Sequence, residues 1–402
     1  MALNIRIGKL GLLDMLKFSK MPDVREAAIQ AAPADPLPAS YASNAKAAVL
    51  HPRRQEVVVS EILQNGPDAK TFVLQSADGG ALAPFRAGQY VSVAAEIGQT
   101  RTTRPYSLCG SPDWAWRGVY HITVKRDSGG FVSPWLCDSL RVGQKLAVSA
   151  PEGNLYYEPL RDCKKVVALA GGSGITPFVS MAYAIRDGYE DFDLTILCGA
   201  RTKDAILYRD VLDKLCAECG KLHAAYVLSD ETADGFEHGF LTAELIKKYA
   251  GDGEYSVFLC GPQAMYRFLD GELDKLGLDR KHVRRELFGA IREPWKQPGF
   301  PEELRGRTFR VTVLQCGGRC EIPARADEPL LTALERAGIK APSRCRSGEC
   351  GWCRSRLLHG DVFIPALTDG RRFADTEYGY IHPCASFPIT DLEIEVPAEY
   401  LY

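Results

Sequence analysis

Four cysteines near the C-terminus are spaced as ligands rather than as packing residues. In Cys345-Arg-Ser-Gly-Glu-Cys350-Gly-Trp-Cys353 three thiols fall on one short loop, and Cys384 follows later in the chain. This C-x4-C-x2-C…C pattern is the spacing that holds a [2Fe–2S] cluster, which takes four thiolates. Ser347, Gly348 and Gly351 are small enough for the loop to wrap closely and aim backbone N–H groups at sulfur. A structural zinc, the competing reading, more usually shows two C-x2-C pairs. Thirteen cysteines in a long chain are an odd count, which favours metal or free thiols in a reducing compartment over a disulfide framework.

Two glycine-rich turns have the makings of phosphate cradles. Gly129-Gly-Phe-Val-Ser133 precedes a helix expected over Pro134–Leu140, so its amides point at a helix N-terminus. Ala170-Gly-Gly-Ser-Gly-Ile-Thr-Pro177 follows the apolar strand Val166–Leu169, a strand–turn–helix order that lets backbone approach a pyrophosphate. It is not G-x-G-x-x-G, so a generic Rossmann dehydrogenase is not implied. Arg104-Pro-Tyr-Ser107 sets a cation, an aromatic ring and a hydroxyl at a strand end, and Leu259-Cys-Gly-Pro-Gln-Ala-Met265 places Cys260 and Gly261 at another. Cys216-Ala-Glu-Cys219 has redox spacing but lies in a helix-like segment with no strand before it, and Cys316 and Cys320 lie in a hairpin. The seven histidines show no H-E-x-x-H spacing and no G-x-S-x-G elbow appears, so hydrolysis has no support.

The elements that must position these groups fall into a multidomain plan. At 402 residues the chain is too long for one ordinary core, and 49 basic against 51 acidic residues give no general attraction to nucleic acid. Residues 1–52 read as an N-terminal extension, with a short amphipathic helix over Gly8–Lys20 and a Pro/Ala-rich tether over Ala31–Ser40. Residues 53–159 carry short alternating runs at Glu56–Leu63, Thr71–Gln75, Tyr90–Ala95, His121–Lys125 and Lys145–Ser149, which suggest an antiparallel β-barrel. In 160–290, strands at Val166–Ala170, Leu194–Cys198, His223–Leu228 and Tyr255–Cys260 alternate with helices at Phe178–Asp187, Ala205–Glu218, Thr242–Tyr249 and Gln263–Leu276. That alternation implies an α/β domain with a parallel sheet. Residues 291–307 contain Pro294, Pro298 and Pro301 and read as a linker, and 308–402 open on a hairpin and hold the cysteine group. The apolar runs are too short to span a bilayer.

The final segment resembles a plant-type ferredoxin domain, an α+β β-grasp fold, which assigns Cys345, Cys350, Cys353 and Cys384 to the metal. Arg104-Pro-Tyr-Ser107 resembles the R-x-Y-S/T flavin motif of the ferredoxin–NAD(P) reductase family. By that resemblance Arg104 binds flavin phosphate, Tyr106 stacks on the isoalloxazine and Ser107 hydrogen-bonds near its N5. Gly130 and Ser133 correspond to the family's G-x-x-S phosphate segment, and Val124 and Lys125 fall at the ribityl–phosphate region. The glycine turn resembles the family's G-G-[ST]-G-[IL]-[TA]-P nicotinamide motif, which brings in Gly171, Gly172, Gly174 and Thr176. Cys260 and Gly261 match its C-G-P segment, and Glu286-Leu-Phe288 resembles its E-x-F, with Phe288 beside the flavin.

Flavin domain, nicotinamide domain, then ferredoxin is the order of the flavin–iron–sulfur reductases of the phthalate dioxygenase reductase and phenylacetyl-CoA oxygenase reductase kind. The resemblance implies an NAD(P)H-dependent electron-transfer enzyme of the cytoplasm. A nicotinamide gives two electrons as hydride and a [2Fe–2S] cluster takes one, so a flavin must stand between them. Tyr106, Ser107 and Cys260 are then the residues beside the reacting atoms. FAD is expected, with FMN as the alternative, and the acceptor is a protein such as an oxygenase component. An electron-relay subunit, or a reductase for an anaerobic corrinoid or flavodoxin-type acceptor, are the other readings. Asp230 and Glu231, after the third nicotinamide-domain strand, would repel a 2′-phosphate and so favour NADH. Arg344, Arg346, Arg354 and Arg356 against Glu349 predict a positive field at the cluster that raises its potential and favours an acidic acceptor; pairing with the protein's own flavin domain is the alternative.

Overall fold

A computed structural model of the chain describes residues 16, 18–32 and 41–398. The chain divides into two units, Met1–Ala47 and Ala48–Tyr402. In the first, helix α1 (Met21–Gln30) starts with Pro22 in its first turn and exposes every residue. The helix expected over Gly8–Lys20 and the tether over Ala31–Ser40 lie mostly outside the described residues. Helix α2 covers Ala42–Leu50.

Six antiparallel strands form the first domain of the second unit: β1 (Gln55–Gln64), β2 (Ala69–Ser76), β3 (Tyr90–Ile97), β4 (Thr100–Ser107), β5 (Val119–Lys125) and β6 (Lys145–Val148), in the order β4-β3-β6-β1-β2-β5. A bridge between Leu108 and Ile122 brings the two edge strands together, closing the sheet into the expected barrel. Alternation turns Val57, Val59, Phe72, Leu74, Val91 and Val93 inward. Strand β4 was not among the expected runs. Its sequence, TRTTRPYS, is polar and contains a proline, which an edge strand tolerates. Helix α3 (Val132–Ser139) starts earlier than the expected Pro134, so Ser133 belongs to its first turn rather than to the loop before it.

The nicotinamide-type domain is a parallel sheet of β7 (Lys165–Gly171), β8 (Asp193–Ala200), β9 (Leu222–Leu228), β10 (Glu237–His238), β11 (Ser256–Cys260) and β12 (Val283–Glu286). Helices α4 (Thr176–Arg186), α5 (Arg209–Glu218), α6 (Ala243–Ala250) and α7 (Gln263–Asp274) cover it. Separate apolar clusters on its two faces explain why its strands read as continuous hydrophobic runs. The order β10-β9-β8-β7-β11-β12 reverses direction between β7 and β11, and such a switch point opens a crevice for ligands. The expected helix from Ala205 begins only at Arg209, after a 3-10 turn at Lys203–Ala205.

The C-terminal domain has the β-grasp arrangement. Its strands are β13 (Thr308–Gln315), β14 (Gly318–Arg325), β15 (Ser355–His359), β16 (Val362–Phe363), β17 (Tyr380–Ile381), β18 (Phe387–Pro388) and β19 (Leu392–Glu395). The main sheet runs β14-β13-β19-β15-β17, with β13 and β19 parallel. Helix α8 (Leu330–Arg336) buries Leu330, Ala333 and Leu334 against it, and the short helix α9 (Phe373–Glu377) lies beside the cysteine loop. The segment expected as a linker, 291–307, is packed: Ile291 and Pro294 are buried, and Phe300 meets Phe363 edge-on at 5.3 Å.

Candidate functional site

Four thiols converge in the C-terminal domain. Cys345, Cys353 and Cys384 are buried and Cys350 is half-buried, with the Cys353 and Cys384 sulfurs 3.4 Å apart. Three backbone N–H groups donate to these sulfurs: Ser347 and Cys350 to Cys345, at 3.5 and 3.3 Å, and Gly348 to Cys384 at 3.3 Å. The Cys350 and Cys384 thiols and the loop amides together hold Cys345 far below the usual thiol range, as thiolate. Gly348 is needed where it stands, since at φ +87° an added Cβ would lie 2.0 Å from the Thr368 carbonyl oxygen. An all-sulfur donor set wrapped by N–H groups fits a [2Fe–2S] cluster, the ligand set expected from the spacing.

In the barrel, Arg104, Tyr106 and Ser107 lie on β4 and pair across to Val93, Val91 and Tyr90 of β3. The Arg104 Nη1 donates to the Thr102 hydroxyl at 2.5 Å and to the Thr103 carbonyl at 2.7 Å. Burial, with Arg346 nearby, pushes its pKa down to about 10. Burial also raises the Tyr106 phenol, which stays neutral. Gly130 and Ser133 form a tight turn in which the Ser133 hydroxyl accepts from the Asp127 N–H at 3.1 Å, and Arg292 pairs with Asp127. Val124 is fully buried, which leaves only its backbone for a ligand, and Lys125 sits 3.5 Å from Asp68.

The glycine turn and the Cys260-Gly261 segment meet at the switch point. Strand β7 pairs with β11 so that Ala170 lies opposite Cys260, and the turn Gly172–Ile175 leads into α4 with the Thr176 hydroxyl donating to the Ser173 carbonyl at 2.9 Å. A Cβ on Gly174 would fall 2.1 Å from the Cys260 carbonyl oxygen. A Cβ on Gly171 or on Gly261 would fall 2.5 or 2.6 Å from the Met265 sulfur. The two segments touch backbone to backbone, and only glycine permits it. Cys260 is buried and its thiol is pushed well up, so it is a neutral group here.

Strand β12 carries Glu286 beside Cys260, and Phe288 meets Tyr90 edge-on at 5.3 Å. Sequence patterns did not single out Tyr90 or Glu152 as site residues, and Glu349 entered only as a charge beside the cysteine loop. Together with Glu286, Arg344, Cys350 and Trp352 they line a cavity of about 380 Å³ to which all three domains contribute. Burial pushes Glu152 up to about 7 and Glu349 up to about 8, and raises Glu286 well above the carboxylate range, with its Oε2 unpartnered. Glu286 falls in the E-x-F motif, but no local pattern marks Glu152 or Glu349 as buried, because each is ordinary within its own element.

The expected arginine field is largely neutralised. Arg344 pairs with Glu152 of the barrel at 3.2 Å, Arg346 with Glu335 at 2.6 Å, and Arg354 with Asp375 at 3.1 Å. Arg344 thus pairs with the flavin domain as the alternative had it, whereas Arg346 and Arg354 pair within their own domain; Arg346, 5% exposed, is inaccessible to a partner, and Arg356 is exposed. Docking of the other pair of domains centres on Tyr208, whose hydroxyl lies 3.0 Å from the Thr71 hydroxyl and 3.1 Å from the Cys109 sulfur.

Three family models match consecutive stretches: an oxidoreductase FAD-binding domain over 56–157, an oxidoreductase NAD-binding domain over 168–270, and a 2Fe-2S iron-sulfur cluster binding domain over 313–388. The glycine betaine monooxygenase reductase subunit of Chromohalobacter salexigens is 29% identical over 358 residues, 85% of this chain and 95% of the relative. The ferredoxin reductase component of the 3-ketosteroid-9-alpha-monooxygenase of Mycolicibacterium smegmatis is 28% identical over 347 residues, 84% of this chain and 95% of the relative. Among solved structures, phthalate dioxygenase reductase, described as transferring electrons from pyridine nucleotides to [2Fe-2S], aligns with TM-score 0.62 at 26% identity. The alignment covers 86% of this chain and 98% of that one.

Proposed function

We propose that the chain is a ferredoxin–NAD(P) reductase-like flavoprotein with a C-terminal [2Fe–2S] domain that passes electrons from NADH through FAD and the cluster to a protein acceptor such as an oxygenase component. The observation that carries this reading is the convergence of barrel, nicotinamide-domain and cysteine-loop residues on one cavity. When bound, the flavin supplies the conversion between two-electron and one-electron transfer. The residues of the chain position and insulate. Arg104 with the Gly130–Ser133 turn would hold the flavin phosphate, with Tyr106 and Ser107 beside the ring. The turn of Gly171, Gly172, Gly174 and Thr176 would receive the nicotinamide pyrophosphate, with Cys260, Gly261 and Phe288 near the reacting rings. Cys345, Cys350, Cys353 and Cys384 would hold the cluster. Neutral Cys260 and Tyr106 add no charge that would oppose hydride approach.

Asp230, beyond the end of β9, supports NADH over NADPH. Glu231 accepts from the Lys203 N–H and Asp230 from the Ser229 hydroxyl, and both carboxylates keep the charge that opposes a 2′-phosphate. An odd count of thirteen cysteines, four of them spaced as cluster ligands, accords with a reducing, cytoplasmic setting, and among the described residues no helix is long and apolar enough to cross a membrane. Anaerobic titration with NADH tests the reading. Flavin absorbance should bleach and the cluster should then give a reduced [2Fe–2S] resonance. Failure of NADH to bleach the flavin, or zinc in place of iron, would overturn it.

A further inference from the structure

The flavin motif and the cluster loop share a hydroxyl. Arg104, on β4 of the barrel, donates to Thr102 Oγ1 at 2.5 Å, and Arg346, next to the ligand Cys345, approaches the same oxygen at 3.4 Å. The Thr102 hydroxyl donates in turn to Glu335 of α8 at 3.0 Å, and Glu335 grips Arg346 through both carboxylate oxygens, at 2.6 and 2.9 Å. One residue along, Thr103 lies 2.8 Å from the Ser343 hydroxyl at the start of the cluster loop. Thr102, Glu335 and Arg346 are all buried. Arg346 also holds φ at +60°, a left-handed conformation that a side chain adopts only under constraint from its surroundings.

Charge does not balance here. Two guanidinium groups face a single carboxylate in a buried boundary, and the third arginine close to Arg104, Arg292, is already paired with Asp127. Arg346 stands first among the charges that oppose protonation of Arg104. An anion placed on Arg104 removes that opposition, and a phosphate, which carries between one and two negative charges, is sufficient. Repulsion between the two arginines otherwise weakens the seating of the cluster loop on the barrel.

Resting on the reading of Arg104 as the flavin-phosphate residue, we propose that Arg346 and Glu335 are positioning residues that couple the two cofactor sites. Phosphate on Arg104 seats the cluster loop, and a seated loop tightens the hold on phosphate. Coupling of this kind is reciprocal. The isoalloxazine takes no part in it, so flavins with and without phosphate should behave differently.

The test uses the full chain with its cluster intact and its flavin removed, then offered FAD or riboflavin. In the native protein FAD, but not riboflavin, should slow hydrogen exchange across 341–347. Arg346→Gln should weaken FAD about tenfold, the factor expected for loss of one well-placed charge, and leave riboflavin affinity within about twofold. Glu335→Gln removes the opposing carboxylate, so FAD should bind at least as tightly as in the native protein and slow exchange across 341–347 by at least as much. Opposite effects on FAD affinity from two halves of one ion pair are not what simple loss of packing produces. Equal weakening of FAD and riboflavin in either variant, or FAD-insensitive exchange in the native protein, overturns the coupling. NADH bleaching of bound FAD is read in the same samples; its absence would defeat the proposed function, whereas normal bleaching with no coupling defeats only this inference.

Discussion

Gly174 offers a steric test of how the nicotinamide turn is held. An added Cβ would lie 2.1 Å from the Cys260 carbonyl oxygen, 2.4 Å from its carbon and 2.7 Å from the Gly261 nitrogen. All three are backbone atoms, so no side chain can swing aside. Real Cβ contacts do not fall under 3.0 Å, and Gly174→Ala must therefore part the turn from β11 by about 0.9 Å or more. A misplacement of this order costs about 10²-fold where the reacting groups must be aligned. Stopped-flow mixing with saturating NADH should show flavin bleaching slowed by about that factor, while dithionite still reduces flavin and cluster. Bleaching at the native rate with native KM would refute the reasoning, because the contact would then not position the nicotinamide.

Cys384→Ser removes the sulfur that lies 3.4 Å from Cys353 and accepts from Gly348. The cluster absorbance should disappear while NADH still bleaches the flavin within about twofold; retained iron at native stoichiometry would count against Cys384 as ligand. Asp230→Ala should raise kcat/KM for NADPH relative to NADH about tenfold, and an unchanged ratio removes the carboxylate from the selectivity argument. Burial pushes His121, packed against Trp114, down to about 4 from 6.5. The folded state favours its neutral form, so stability is full above pH 6.5 and is lost as pH falls towards 4, by at most about 3 kcal/mol. His121→Gln should flatten that part of the curve in urea melts, and parallel curves would refute it.

The parts of the site that can be read from sequence are those whose chemistry is local. The cysteine spacing and the strand–glycine–helix order of 165–186 each specify their geometry within one short segment. Strand β4 was hidden because its burial comes from pairing with β3 and not from an apolar pattern of its own. Glu335 was hidden more deeply. It lies in LLTALER, an ordinary amphipathic helix, and its partners come from another domain and from the cluster loop. Setting four arginines against Glu349 alone overstated the free charge at the cluster for the same reason, since Glu152, Glu335 and Asp375 arrive from elsewhere in the chain.

Met265 occupies a notch that two loops leave open for it. Its sulfur sits where a side chain on Gly171 or on Gly261 would have to go. In descent, positions 171, 261 and 265 are therefore not free to drift separately: a lineage that gains a side chain at either glycine must also move or shorten the side chain at 265. Two stretches that look like independent signatures would then change hands as one heritable unit, with the methionine as its least noticed member.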